Sequence, residues 1–371
     1  MPNDRIAEPL PARPNLEHQR KRARALLKAA RAEDREALQR FRAARPNAKD
    51  EPPKLSLQAA QFVIAREYGF ASWTKLKAHI GAMQISPLGS LALIVAANRA
   101  FETEHAQPLY RDPFARLLAG DAGMALMARM RSALGSASGP FSTRDPDPYL
   151  SVRTRFFDDA LQKVVRGAGI AQVVVLGAGM DMRAFRLEWP AGLAWFEIDR
   201  EEVFSRKEPV LRRLARPRCA RQAVCADLGG EWTSALAAAG FDSTRPAAFL
   251  IEGVLLYLNA ATVAHVLRTL QGVAGRGSWI GLDLISAATA ASPLMAAHLR
   301  RLAELGRPSW EFAVDDPEAL LADHGWCAGS VIAGTPQANF GRWRYPYTLR
   351  EASGPGIPRA FLVEGWREVM Q

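Results

Sequence analysis

The chain has 371 residues, enough for one large domain with a smaller piece beside it, and 49% of them are hydrophobic, which excludes a disordered or fibrous chain. Lys and Arg outnumber Asp and Glu by 48 to 38, a net charge of +10 that speaks to encounter with acidic partners rather than to fold. The longest apolar run, "LALIVAA" from Leu91 to Ala97, is too short to span a bilayer. Cys219, Cys225 and Cys327 form neither a CxxC pair nor a metal-ligand spacing, so no metal is expected. With no apolar leader at the N-terminus, these features point to the cytoplasm.

From Asn15 to Arg45, Leu16, Leu26, Leu27, Ala30, Leu38 and Phe41 recur at helical spacing among many Arg and Glu, which predicts one long amphipathic basic helix, with room for a break midway. A Pro-rich linker, "ARPNAKDEPPK", leads to "LSLQAAQFVIAREYGFASWTKLKAHI". There Ser56 is placed to cap a helix that stops near Gly69, and Ser72 to cap a second. This stretch resembles the segment that precedes ankyrin repeats in many bacterial proteins, over about 25 residues by the motif reading. No ankyrin repeat follows, so the resemblance implies a packing or protein-contact module. A helix-turn-helix reader of DNA is disfavoured, because "ASWTKLKAH" lacks a dense set of base-reading side chains on one face. Residues 1–85 are therefore read as a basic helical module and linker.

Beyond residue 86 come a helix from Leu88 to about Glu104, "PLYRDPFARLLAG", a Gly, Ser and Met-rich stretch, and the helix "YLSVRTRFFDDALQKVVRG". Strands and helices then alternate through "AQVVVLGAG", "LAWFEID", "QAVCADL", "AAFLIEGVLLYL" and "SWIGLDLIS", the pattern of a doubly wound α/β domain with a largely parallel sheet. "SVIAG" and "RAFLVEGW" follow without a convincing helix between them and are expected to pair antiparallel.

In "QVVVLGAGMDMRAF", Gly177 and Gly179 suit the turn that brings the backbone closest to a ligand at the carboxyl ends of such strands. Met182 stands where a dinucleotide loop has its third glycine. Asp199, 22 positions beyond Gly177, is placed to accept ribose hydroxyls, and Asp227 with Leu228 to meet adenine. A loop and two acids at three successive strand ends describe an adenosine site without a phosphate cradle, and S-adenosylmethionine is the ligand that fits. Glu197 shares the strand end with Asp199, and only one of them need reach the ribose.

The ordered set "SVRTRFFDDAL", "AQVVVLGAGMDMRAFRL", "WFEID", "ADLGGEW" and "LIEGVLLYL" resembles the leucine carboxyl methyltransferase family and its bacterial branch of O-methyltransferases linked to polyketide biosynthesis. The resemblance implies a class I methyltransferase, Rossmann-like fold over residues 86–371, seven strands with an antiparallel last hairpin. It implies that Arg153 binds the methionine carboxylate, that the loop Gly177, Ala178 and Gly179 contacts the cofactor, and that Asp199 lies on the ribose side. It also implies Asp227 and Leu228 beside adenine, Glu252 near the methionine amino group and Arg99 as the basic residue of the first helix. Singly, each has a plainer reading: Arg153 as a surface residue paired with Asp158 or Glu102, Glu252 as a helix cap, Asp227 as a turn residue.

Methyl transfer from a sulfonium needs alignment of nucleophile, carbon and sulfur and exclusion of water. A carboxylate acceptor needs no base, whereas a hydroxyl does. His105 and Glu102 are the nearest candidates for one. Arg342, Trp343 and Tyr345 suit either an acceptor pocket or a packed turn, and "GSASGPFSTRDPDPYL" suits a lid. The acceptor is expected to be a carboxylate or hydroxyl of a small molecule or of a protein C-terminus. Two rival functions stay open: a nicotinamide-dependent oxidoreductase, and an interaction protein that works through its N-terminal helices. Nucleic-acid methylation is disfavoured, because "IEGVLLYL" stands where an Asn/Asp-Pro-Pro-aromatic motif belongs.

Overall fold

A computed structural model describes residues 10, 14–44, 54–83, 86–135, 146–214, 216–293, 299–300, 303, 309–343 and 357–367. The chain separates into two compact units, Met1–Ser86 with Asp121–Leu126, and Pro87–Gly120 with Met127–Gln371. No helix among the described residues is long and apolar enough to cross a membrane.

The first unit contains α1 (Leu16–Arg31), α2 (Arg35–Ala43), α3 (Leu57–Glu67) and α4 (Trp73–Met83). The amphipathic helix expected from Asn15 to Arg45, with room for a break midway, does break there, into α1 and α2. Glu33 adopts a left-handed φ of 56°, unfavourable for a residue with a Cβ, and Asp34 restarts the helix by accepting the Ala37 N–H at 2.8 Å. Ser56 and Ser72 accept backbone N–H groups at the starts of α3 and α4 as expected, and Asn15 does the same at the start of α1. Ala23, Leu26, Ala30, Phe41, Val63, Ile64, Leu76 and Ile80 close the core of the bundle.

The second unit begins with α5 (Pro87–Glu104), α6 (Ala115–Gly135, kinked at Gly120) and α7 (Pro148–Gly167). Then come β1 (Gln172–Leu176), α8 (Arg183–Arg186), β2 (Ala194–Asp199), α9 (Glu201–Leu214), β3 (Ala220–Cys225), α10 (Thr233–Ala238) and β4 (Ala248–Ile251). The chain continues through α11 (Ala260–Val273), β5 (Trp279–Ile285), α12 (Ala287–Ala291), α13 (Pro317–Ala322), β6 (Trp326–Ile332) and β7 (Ala360–Arg367). Every residue of β1, β4 and β5 is buried, as befits central strands covered on both faces. The sheet order is β3-β2-β1-β4-β5-β7-β6, with β1 to β5 parallel and β7 antiparallel to both of its neighbours.

This is the expected seven-stranded sheet with its antiparallel last hairpin. The strand order reverses at β1, whose neighbours are β2 and β4, so the crevice beyond its carboxyl end is the natural ligand site.

Candidate active site

The glycine loop leaves β1 at the reversal point. Gly177 (φ 65°) and Gly179 (φ 49°) are both left-handed, and a Cβ on Gly177 would lie 2.5 Å from Val254 Cγ2. The Ala178 N–H donates to the Ile198 carbonyl at 3.0 Å. The Gly179 N–H donates to Asp199 Oδ2 at 2.6 Å, and the Arg200 N–H to Asp199 Oδ1 at 2.8 Å. Burial pushes the Asp199 carboxyl above its usual range, and these two N–H groups oppose the shift only in part. Asp227 lies two residues past β3 rather than at its end and accepts the Gly229 N–H at 2.8 Å, while Leu228 is buried.

The structure also explains the missing third glycine. Met182 is buried, and α8 behind it is only four residues long. The N–H of Arg183, first in α8, already donates to Asp181 Oδ1 at 2.6 Å. A helix start closed by a carboxylate cannot cradle a pyrophosphate, which would have to displace it.

Beside the loop lies a buried network of ion pairs. Arg153, from α7, donates through Nε to Glu252 Oε1 and through Nη1 to Asp283 Oδ2, both at 3.0 Å. Asp283 also accepts the Tyr149 hydroxyl at 2.8 Å and the Gly253 N–H at 2.6 Å. Arg183 donates to Glu252 Oε2 and Asp158 Oδ1, both at 2.7 Å, and pairs with Asp181. Arg186 grips Asp158 through both Nη atoms at 2.6 and 2.7 Å. Arg99 donates to Asp112 Oδ2 at 2.8 Å and to the Met180 carbonyl.

Burial alone would raise the carboxyl pKa values here. Arg183, Lys207 and Arg99 outweigh it for Asp181, held at about 2, and Arg183 with Arg153 hold Glu252 below its usual range. Burial alone would likewise loosen the Arg153 proton, but Asp283 and Glu252 more than offset it. Four guanidiniums (Arg99, Arg153, Arg183, Arg186) face five carboxylates (Asp112, Asp158, Asp181, Glu252, Asp283), which leaves one negative charge in excess.

Loop and network open on one cavity of about 790 Å³, lined by Arg99, Arg153, Gly177, Ala178, Gly179, Asp199, Asp227, Leu228 and Glu252 together with apolar side chains such as Ile94, Met127, Met130 and Trp310. All nine residues singled out in the sequence thus border the same space.

Residues 92–271 match the model of the family described as leucine carboxyl methyltransferase. A Mycobacterium bovis BCG protein named "Putative S-adenosyl-L-methionine-dependent methyltransferase" is 36% identical over 266 residues, which cover 69% of this chain and 85% of that protein. A Streptomyces coelicolor protein of the same description is 37% identical over 279 residues, 72% and 87% of the two chains. The chain belongs to the leucine carboxyl methyltransferase family. It is accordingly an S-adenosylmethionine-dependent methyltransferase. A solved structure titled as a putative methyltransferase from Thermobifida fusca aligns with a TM-score of 0.48 at 16% identity, over 78% of this chain and 98% of that one; the strand order carries the fold.

The residues of this methyltransferase suit the cofactor. Asp199 at the end of β2 and Asp227 beyond β3 offer acceptors to an adenosine, and Arg153 and Glu252 side by side offer one charge of each sign to a zwitterionic amino acid tail. Other readings of single residues change. Arg153 pairs with neither Asp158 nor Glu102: Asp158 is held by Arg183 and Arg186, and Glu102 by Arg342 Nη2 at 2.7 Å and the Leu109 N–H at 2.7 Å.

His105 accepts from Arg342 Nη1 at 3.1 Å, so the two candidate bases clasp Arg342 and neither borders the cavity. Arg342 and Trp343 do border it; Tyr345 and residues 136–145 of the expected lid lie outside the described residues. Glu197, fully buried, pairs with Lys207 and Arg221 at 2.7 Å each, which leaves Asp199 as the cavity acid of β2. Sequence reasoning did not single out Arg183, Asp181, Arg186, Asp283 or Tyr149. The one available signal was the "DMR" that replaces the third glycine.

Proposed function

We propose that this methyltransferase esterifies a carboxylate of an apolar small molecule. The cofactor supplies a methyl group on a sulfonium, and the protein's part is to orient the acceptor and keep water out. The observation that supports a carboxylate over a hydroxyl is the state of the acids around the cavity. Among the described lining residues there is no His, and the carboxylates are ion-paired, tied to backbone N–H groups or assigned to the adenosine. Asp147 accepts the Leu150 N–H, Asp199 those of Gly179 and Arg200, and Asp227 that of Gly229, while Asp181 and Glu252 are ion-paired. Burial pushes the phenols of Tyr149 and Tyr257 up, so both keep their protons at neutral pH.

A hydroxyl would need a base to take its proton at the moment of attack. A carboxylate is ionised at neutral pH and is its own nucleophile. Ile94, Met127, Met130 and Trp310 offer apolar contact to the rest of the acceptor, and methionine adapts to varied shapes.

The test is a panel of apolar carboxylic acids and matched phenols and alcohols, incubated with methyl-labelled S-adenosylmethionine. Alkali releases methanol from an ester and not from an ether, so the proposal expects label that alkali sets free. Label that stays on the product through alkali would show a hydroxyl acceptor and overturn it.

A further inference from the structure

The net charge is concentrated at one end of the sequence. Residues 1–86 contain 17 Lys and Arg against 9 Asp and Glu, a net of +8, so the other 285 residues account for only +2. Within the first unit the positive charge is ordered. Arg20, Lys21, Arg24, Lys28 and Arg31 are all exposed on α1, and at 3.6 residues per turn they fall within an arc of roughly 100°. Ala23, Leu26 and Ala30 occupy the opposite, buried side. Glu17 pairs with Arg20 at 3.3 Å and with Arg24 at 3.9 Å, while Lys21, Lys28 and Arg31 have no acidic partner among the described residues. Like charges at spacings of three and four weaken a helix, so this arrangement costs the unit stability unless something anionic lies against it.

We propose that this stripe binds the phosphate backbone of nucleic acid without regard to sequence. Five cations lie along about 16 Å of helix on long, flexible side chains, and a duplex presents one phosphate per 3.4 Å of its axis on each strand. The exposed face of α1 offers no Asn or Gln to read adenine, since its Gln19 is buried, and its Arg and Lys are strung along the helix rather than gathered at one end that could enter a groove; the contact assigned to them is with phosphate. An anionic membrane suits the stripe less well, because the apolar side of α1 is spent on the unit's own core and none is left to enter lipid. An acidic protein suits it less well too: among the described residues the exposed large hydrophobic ones, Leu57, Leu117 and Trp366, all lie off α1, so α1 itself carries no apolar anchor of the kind that dominates protein interfaces.

The experiment uses the full chain and a fluorescent 20-base-pair DNA duplex of mixed sequence, titrated at salt from 50 to 200 mM. Five phosphate contacts predict that affinity falls about 500-fold across that range. The variant Lys21→Gln, Arg24→Gln, Lys28→Gln, Arg31→Gln keeps one contact, and its weaker binding should fall only about fourfold. A control with Arg212→Gln, Arg213→Gln, Arg245→Gln and Arg268→Gln loses the same charge from exposed positions on the second unit and should bind as the wild type does. Circular dichroism checks that α1 persists; if the fourfold variant unfolds, Lys21→Gln with Arg31→Gln should still flatten the salt slope by roughly 1.8. The proposal is overturned if the wild type ignores the duplex at 50 mM salt, if the control weakens as much as the stripe variant, or if phosphatidylserine vesicles retain the protein and the duplex does not.

Discussion

Gly177→Ala in the methyltransferase unit isolates what the glycine loop demands of its backbone. Two costs are legible in the structure. The residue sits at φ 65°, where a Cβ costs about 1–2 kcal/mol, and that Cβ would stand 2.5 Å from Val254 Cγ2, so Val254 must give way by nearly an ångström. Forcing that much extra volume into a packed site costs about 1–3 kcal/mol, for a total of about 2–5 kcal/mol. Only the second cost depends on Val254.

Val254→Ala alone should destabilise modestly, and Gly177→Ala added to it should cost only the backbone share. A double-mutant cycle by urea unfolding, with the slope of each curve checked for constancy, should therefore return a favourable coupling of about 1–3 kcal/mol. Additive effects, within about 0.5 kcal/mol, would refute the close approach of the loop to Val254.

Three further outcomes follow from the same site. Asp199→Ala should weaken binding of S-adenosylmethionine and S-adenosylhomocysteine at least tenfold in calorimetry, because hydrogen bonds to a charged group contribute about 1.5–3 kcal/mol each; unchanged affinity would remove Asp199 from the ribose. Arg183→Ala strips a partner from Asp158, Asp181 and Glu252 at once and should cost about 3 kcal/mol or more, with little rescue by Arg183→Lys, since a lysine lacks the planar fork. A loss under 1 kcal/mol would show that the network does not depend on Arg183. Asp181 is held at about 2 against an ordinary 3.8, so its stabilisation of about 2 kcal/mol is complete above the unfolded value and fades as pH falls toward the folded one. The wild type should shed about 1 kcal/mol of this between pH 5 and 3, and Asp181→Asn should flatten that part of the profile in unfolding measurements; identical profiles would contradict the assignment.

The strands were legible because central parallel strands read as unbroken apolar runs, and "QVVVL", "AFLI" and "WIGLDLI" are such runs. The positive-φ glycines of the loop were legible for a related reason, since few other residues tolerate that backbone. The ionic network was not, because its partners lie far apart in sequence: Arg153 is 130 positions from Asp283 and 99 from Glu252. Charge at a distance has no periodicity to betray it.

The same gap explains why Asp158, five residues from Arg153 and on the same helix, looked like its partner and is not. Glu197 and Asp199 could not be separated by strand alternation, which sends both to one side. Their difference is depth along β2: Glu197, two residues further in, meets Lys207 and Arg221, whereas Asp199 reaches the crevice. In the first unit, the break between α1 and α2 rests on one left-handed Glu33, a residue whose type carries no such signal.

The placement of β7 has a consequence for the order of assembly. It lies between β5 and β6, so β6 can join the sheet only through a strand that emerges from the ribosome after it. Five parallel strands can stack as they are synthesised, but the edge of β5 stays open until β7 docks there, seven residue pairs at once from Trp279↔Trp366 to Ile285↔Ala360. The growing chain therefore exposes a long apolar strand edge late in synthesis, which makes the final hairpin the step at which folding competes with aggregation.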